Sequence, residues 1–341
     1  MKEREFNLTK KIKTLICYAH VFDCPLSEKE LFYLCDNHKK NAVNEILTEL
    51  KLNNHIIMKD GHVILKKYNF KNILKTRQKR ISNSKKIIEE NQTILKILLK
   101  IPFILMMGIS GSVAHHNTLD KDKYSSDLDL FIVSKKYSLH LARFIMIIIR
   151  RIYKLLNFVG LSKKRITIDP NYGLEAGDLS VKIKSFFTAY EASSVKVLKG
   201  QNIYNLFVNQ NKWIYKYLNP KQIGEKNYTH LELDANAGFL IRTLNFFCFL
   251  FFLVLNHLKH HIFGIKKTYS FGDNYDYTFG RIEHTDGGYQ THIALKLEKI
   301  YRSEFGEDQI LHCFLFPRIN NSHNLENDGK NIHVTDTLYY E

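Results

Sequence analysis

Met107 to Val133 reads MGISGSVAHHNTLDKDKYSSDLDLFIV. Ile104 to Ile109 is an apolar run of strand length that ends in small residues, and Leu128 to Val133 is a second such run entered through acidic residues. Runs of that length bounded by turn signals fit buried strands. Between them, Gly111 lets the backbone approach a ligand closely, and the free amides at a helix start favour an anion. Gly111 and Ser112 therefore read as a phosphate seat. After a spacer over 113–126, Asp127 and Asp129 stand one residue apart, so strand alternation points both carboxylates to one face. Two like charges on one face repel, and they become favourable when hard divalent cations sit between them. Mg²⁺ takes one or two carboxylates together with phosphate oxygens. A phosphate seat beside a carboxylate pair suits two-metal phosphoryl or nucleotidyl transfer. On spacing alone the bland alternative is a turn and a solvated strand end, and the order of the parts with their flanking strands counts against it.

Working outward, residues 1–70 hold three helical stripes and a hairpin. Ile12, Leu15, Ile16 and Ala19 share a helical face, and Val43, Ile46, Leu47 and Leu50 repeat the pattern. Ser27 with Glu30 forms a capping box that opens the helix between them. His55 to Met58 and His62 to Leu65 are short extended runs joined across Lys59, Asp60 and Gly61, and Asp-Gly is a strong turn signal. Helix, helix, helix, hairpin is the order of a winged helix. Its third helix carries Lys39, Lys40, Asn41 and Asn44 but also Glu45 and Glu49, a mixed face for a nucleic-acid reader.

Residues 71–195 read as a core with a basic linker helix, interrupted at Ser82, Asn83 and Ser84 and stopped by Pro102. Its Lys75, Arg77, Lys79, Arg80, Lys85 and Lys86 form a candidate polyanion surface, although such runs are usually solvated faces. Arg165 to Asp169 is a third candidate strand closed by Pro170. Residues 196–305 read as mainly helical, and 306–341, rich in Asn, Asp and His, as a loose tail. Phe246 to Leu255 is an apolar run too short to span a bilayer, read as a buried helix ahead of an interfacial or dimer helix. The expected fold class is α+β, a mixed α/β sheet with an N-terminal winged helix and a C-terminal helical region.

Composition narrows the class without selecting a substrate. The 341 residues carry 45% hydrophobic content, enough for an ordinary core, which excludes disorder of the whole chain. Fifty Lys and Arg against thirty-four Asp and Glu give a formal charge of +16. That favours polyanionic partners such as nucleic acid or nucleotides, although a Lys-rich composition spread along the chain accounts for it equally well. Five cysteines show no CxxC pair, so neither a zinc site nor a disulfide framework is expected. His257, His260 and His261 lack an acidic or Cys partner at ligand spacing and read as surface histidines. No export signal opens the chain, so the cytoplasm is the expected compartment, and the shortness of the Phe246 to Leu255 run makes a membrane an unexpected partner.

Gly-Ser, a spacer and Asp-x-Asp between apolar residues resemble the signature of the DNA polymerase beta nucleotidyltransferase superfamily, and the stretch from Ile101 to Val133 carries the likeness. The whole arrangement, with IDPNY at 168–172 and NKW at 211–213, is similar to bacterial nucleotidyltransferase-domain proteins that begin with a winged helix. The resemblance implies a polymerase-beta-type sheet on which Gly111 and Ser112 hold the triphosphate of an NTP, while Asp127 and Asp129 hold Mg²⁺ or Mn²⁺. Family members usually add a third carboxylate that shares a metal and orients or deprotonates the acceptor hydroxyl. Asp169 is the candidate, with Asp178 and Glu175 as alternatives. His115 and His116 depart from the pattern, standing where Arg or Gly is common, and read as nucleotide contacts or as surface histidines. The implied reaction moves a nucleoside monophosphate to a hydroxyl on a small molecule, an RNA end or a protein side chain. The alternatives are a non-catalytic, nucleotide-sensing DNA-binding regulator and a toxin-antitoxin-type enzyme that modifies a protein.

Overall fold

A computed structural model describes residues 8–35, 40–118, 127–160, 168–220, 237–261, 274–278, 281–285 and 287–306. Lys39, most of the spacer, 165–167 and all but the first residue of the expected tail lie outside them.

The chain opens with α1 (Leu8–Val21), α2 (Glu28–Cys35) and α3 (Lys40–Leu52), followed by the antiparallel pair β1 (Ile56–Lys59) and β2 (His62–Leu65). The capping box forms: Ser27 N–H donates to Glu30 Oε2 at 2.8 Å, and Glu30 N–H donates to Ser27 Oγ at 3.2 Å. Asp60 and Gly61 both take positive φ, 50° and 68°, which a two-residue type I′ hairpin turn requires. His20 ties α1 to the hairpin. Its Nδ1–H donates to Ile16 O at 2.8 Å, and its Nε2 accepts Leu65 N–H at 3.1 Å.

The linker is one long helix, α4 (Phe70–Glu90), then α5 (Gln92–Leu98). The expected interruption at Ser82 to Ser84 does not occur, because Ser84 is buried with its Oγ bonded to Arg80 O and Thr118 Oγ1. The break falls at Asn91, whose side chain bonds back to Ile87 O.

Beyond the linker come β3 (Ile104–Ile109), α6 (Gly111–Ala114), β4 (Leu128–Ser134), α7 (Leu139–Phe158) and β5 (Ile168–Glu175). Next are α8 (Phe186–Ser193), β6 (Lys196–Lys199), α9 (Gln201–Gln210), α10 (Ile214–Tyr217) and α11 (Phe239–His261), then β7 (Asn274–Thr278), β8 (Arg281–Thr285) and α12 (Gly287–Phe305). Six strands form a mixed sheet in the order β6-β3-β4-β5-β8-β7, in which β4 and β5 are parallel and every other pairing is antiparallel. The described residues of 196–305 are mostly in helices, but the reading did not foresee the strands β6, β7 and β8. Their short polar sequences, KVLK, NYDYT and RIEHT, carry no apolar alternation to betray them. Pro170 does not close its strand: it lies inside β5 where the pairing steps from Asp129↔Asp169 to Phe131↔Tyr172, and a bulge tolerates the missing amide.

Helices cover both faces of the sheet. Phe131 and Val133 pack into one core with α1, α8, α9 and α12, whereas Leu128, Leu130 and Ile132 pack into another with α5 and α7. The first core is continuous with the N-terminal helices, since Ile12, Leu15, Leu31 and Leu47, each at most 1% exposed, belong to it. Each such side chain contributes about 1.5–3 kcal/mol by leaving water. α12 fastens the C-terminal side onto α1 and the hairpin, with Lys67 donating to Ser303 Oγ at 2.6 Å and Lys13 over the Phe305 ring at 4.8 Å. The expected buried helix at Phe246 to Leu255 is only half buried. Cys248 and Phe252 pack inward, while Phe247 and Val254 are 61% and 56% exposed. Among the described residues no helix is long and apolar enough to cross a membrane.

Candidate functional site

Antiparallel pairing of β3 with β4 brings the Gly-Ser turn against the acidic strand. Ile109 pairs with Leu130, and one residue on, Ser110 N–H donates to Asp129 O at 3.0 Å. Gly111 follows with φ of +65°, and a Cβ built there would collide with Asp129 Oδ2. Glycine is therefore needed twice, for the left-handed backbone and for the approach of the carboxylate. Asp129 shares the strand face of Phe131, on the side where the N-terminal helices pack.

On that side lies a cavity of about 390 Å³, lined by Gly111, Ser112 and Asp129 and walled by α1, α4 and α8. Tyr18 of α1, Phe22 just after it, Arg77 of α4 and Tyr190 and Glu191 of α8 stand on the opposing wall. Asp169 lies beside Asp129 across the parallel β4/β5 pair, outside the lining, with Oδ1 at 3.7 Å from Arg150 Nη1. Asp127 is exposed just before β4 and is likewise outside the lining. The structure thus gathers three of the five expected residues in one cavity and holds a fourth beside them through strand register.

The two alternative third carboxylates have other partners. Glu175 lies six residues along β5 from Asp169, roughly 20 Å away at strand spacing. Its Oε1 accepts Ser138 N–H and Leu139 N–H at the start of α7, at 3.1 and 3.4 Å. Burial raises its pKa above the ordinary value against those bonds. Asp178 pairs with Arg281 Nη2 at 2.7 Å.

Glu191 is the site residue the sequence reading missed. Its Oε2 accepts Gly111 N–H at 3.2 Å and its Oε1 lies 2.9 Å from His115 Nε2. Burial opposes the charge, but His115 and the Gly111 amide outweigh it and hold this carboxyl below the usual range. Its one sequence signal is being the lone charge in the apolar stretch from Phe186 to Val195. Both histidines are partly buried. His115 stacks on Tyr190 at 4.6 Å, and His116 Nε2 accepts Lys196 Nζ at 2.8 Å. Burial and then Lys196 lower the His116 pKa to about 4, so its ring is neutral at pH 7.

Arg77 leaves the candidate polyanion surface as well, being 3% exposed. Its Nη2 meets Glu30 Oε1 at 2.5 Å, and its Nη1 donates to Cys24 Sγ at 2.8 Å and to His115 O at 3.2 Å. One guanidinium thus joins the capping box of α2 to the turn that follows α6. Lys75, Lys79, Lys85 and Lys86 remain exposed.

The resemblance implies a divalent cation. Among the described residues no three His, Cys, Asp or Glu are gathered as a metal cage. Asp127 and Asp129 nonetheless supply hard oxygens of the kind Mg²⁺ takes, with Gly111 lacking the Cβ that would obstruct Asp129. The residues fit an ion that arrives with nucleotide phosphates completing its shell. Of the family models, curated proteins and solved structures compared with the chain, none matches it.

Proposed function

We propose that this chain is a nucleotidyltransferase that moves a nucleoside monophosphate from an NTP to a hydroxyl group. The observation that supports it best is the meeting of Gly111, Ser112 and Asp129 at one cavity, with Asp169 in register beside Asp129. The Gly111 amide and Ser112 would hold phosphate oxygens, with Glu191 giving up the amide and keeping His115. Mg²⁺ or Mn²⁺ on Asp127 and Asp129 would supply neutralisation of the charge on the phosphates. The acceptor oxygen forms its bond to the α-phosphorus as the bond to pyrophosphate breaks, and the hydroxyl proton leaves towards Asp169 or solvent. The cavity favours a small-molecule acceptor over an RNA end or a folded protein. Its volume is that of a small-ligand site, and residues of α1, α4 and α8 stand opposite the Gly111 turn.

The contact between Arg150 and Asp169 supports a second reading, a nucleotide-sensing regulator without turnover, since it occupies the expected third carboxylate. One experiment separates the two. The purified protein is incubated with each α-labelled NTP, Mg²⁺ or Mn²⁺ and cell extract, beside the Asp127→Asn, Asp129→Asn double variant. Label entering a small-molecule fraction only with the wild type supports the transferase and its acceptor class. Nucleotide binding without transfer in both proteins supports the sensor.

A further inference from the structure

α7 and α11 lie side by side on the outer face of the sheet. Phe144 of α7 touches the rings of Phe251 and Phe252, and Leu141 N–H donates to Asn245 Oδ1 at 2.9 Å. Of the twenty large apolar side chains exposed among the described residues, ten belong to α11 and five to α7 or its C-cap. Soluble surfaces scatter such residues singly, and concentration on two adjacent helices marks a contact surface. On α11, Leu240, Leu244, Phe247, Phe251, Val254 and Leu258 form one exposed stripe. Phe246, Leu250 and Leu253 form a second stripe beside it. At 100° per residue the two together cover about half the helix circumference, wider than the seam of a helix pair.

Charge distinguishes the occupants. Neither the 20 residues of α7 nor the 23 of α11 include an Asp or Glu. Exposed Arg151 and Lys154 flank the α7 stripe of Ile148, Ile152 and Leu155. A second copy packed here would bring cations to cations with no carboxylate on either helix to offset them. An anionic lipid surface answers both features, because acyl chains take up a broad apolar arc and headgroups meet the cations.

We propose that the α7/α11 face docks on the surface of an anionic phospholipid bilayer, the two helices lying against it without crossing. The expectation that no membrane is a partner rested on the shortness of the apolar run, which bears on crossing alone. Docking is independent of the reading of the cavity.

The test is flotation of the full chain with vesicles of phosphatidylcholine alone or mixed equally with phosphatidylglycerol, alongside sedimentation of the chain without lipid. The wild type should float with the mixed vesicles, and added salt should reduce the bound fraction. Leu240→Ser, Phe247→Ser, Val254→Ser should abolish flotation, these side chains being more than half exposed and so contributing little to the fold. Should that variant fail to fold, Arg151→Gln, Lys154→Gln tests the same surface through charge alone and should weaken binding to the mixed vesicles. Absence of flotation in the wild type, or flotation unchanged in a folded variant, would overturn the proposal. So would a dimer without lipid that the triple substitution dissociates, since the face would then belong to a second copy.

Discussion

Acidification should loosen the N-terminal helices through His20. This ring is 2% exposed and held in one neutral tautomer, its Nδ1–H given to Ile16 O and its Nε2 lone pair to Leu65 N–H. A second proton would set N–H against N–H at the Leu65 contact. Burial, first among the causes, lowers its pKa from the ordinary 6.5 to about 4. The folded value lies below the unfolded one, so the stabilisation is complete above pH 6.5 and is lost as the pH falls towards 4. At about 1.4 kcal/mol per unit, the loss is about 3 kcal/mol. Urea unfolding at a series of pH values measures it, with His20→Gln removing the titration while leaving His116 and every carboxylate in place. The variant should be less stable near neutrality, and its acid dependence over this window should be shallower by that amount. Equal slopes in the two proteins would refute the reasoning, as would an imidazole resonance of His20 that titrates near its ordinary value.

Two further outcomes follow from the cavity wall. Gly111→Ala forces a left-handed residue, costing about 1–2 kcal/mol, and pushes Asp129 from its place. Nucleotidyl transfer should fall about a hundredfold by misplacement, and transfer at the wild-type rate would remove Asp129 from the site. Arg77→Met leaves Glu30 without its guanidinium, and because Glu30 is 36% exposed the cost should lie below that of a fully buried pair, about 2–3 kcal/mol in urea unfolding. Arg77→Met with Glu30→Gln should recover part of that loss, and a loss no smaller in the double variant would show that the pairing contributes nothing.

Local rules made the N-terminal half legible. The capping box at Ser27 and Glu30, the Asp-Gly turn and the apolar stripes of α1 and α3 each depend on residues a few positions apart. Gly111 and Asp129 are farther apart in sequence, yet they were legible because both flank continuous apolar runs of strand length. Glu191 and Arg77 were hidden because their partners lie 80 and 47 residues away, at Gly111 and Glu30. Arg77 did leave a trace, falling on the buried stripe of α4 with Ile73, Ser84 and Ile87. Its charge was instead read together with lysines that face solvent. Strands β6, β7 and β8 escaped for a different reason, because short polar strands at a sheet margin owe their conformation to a neighbour's backbone.

The N-terminal helices and the strand that carries Asp129 share one core, and Tyr18 and Phe22 face the same cavity as Gly111. Modularity is therefore the wrong picture for this chain. A fragment starting near residue 70 would lack part of the wall of its own cavity, and a graft of the N-terminal unit onto another protein would carry that wall away. Whatever grips the exposed side of α3 does so on a helix whose inner residues, Val43, Leu47 and Leu50, share a buried core with Tyr18 of that pocket's wall.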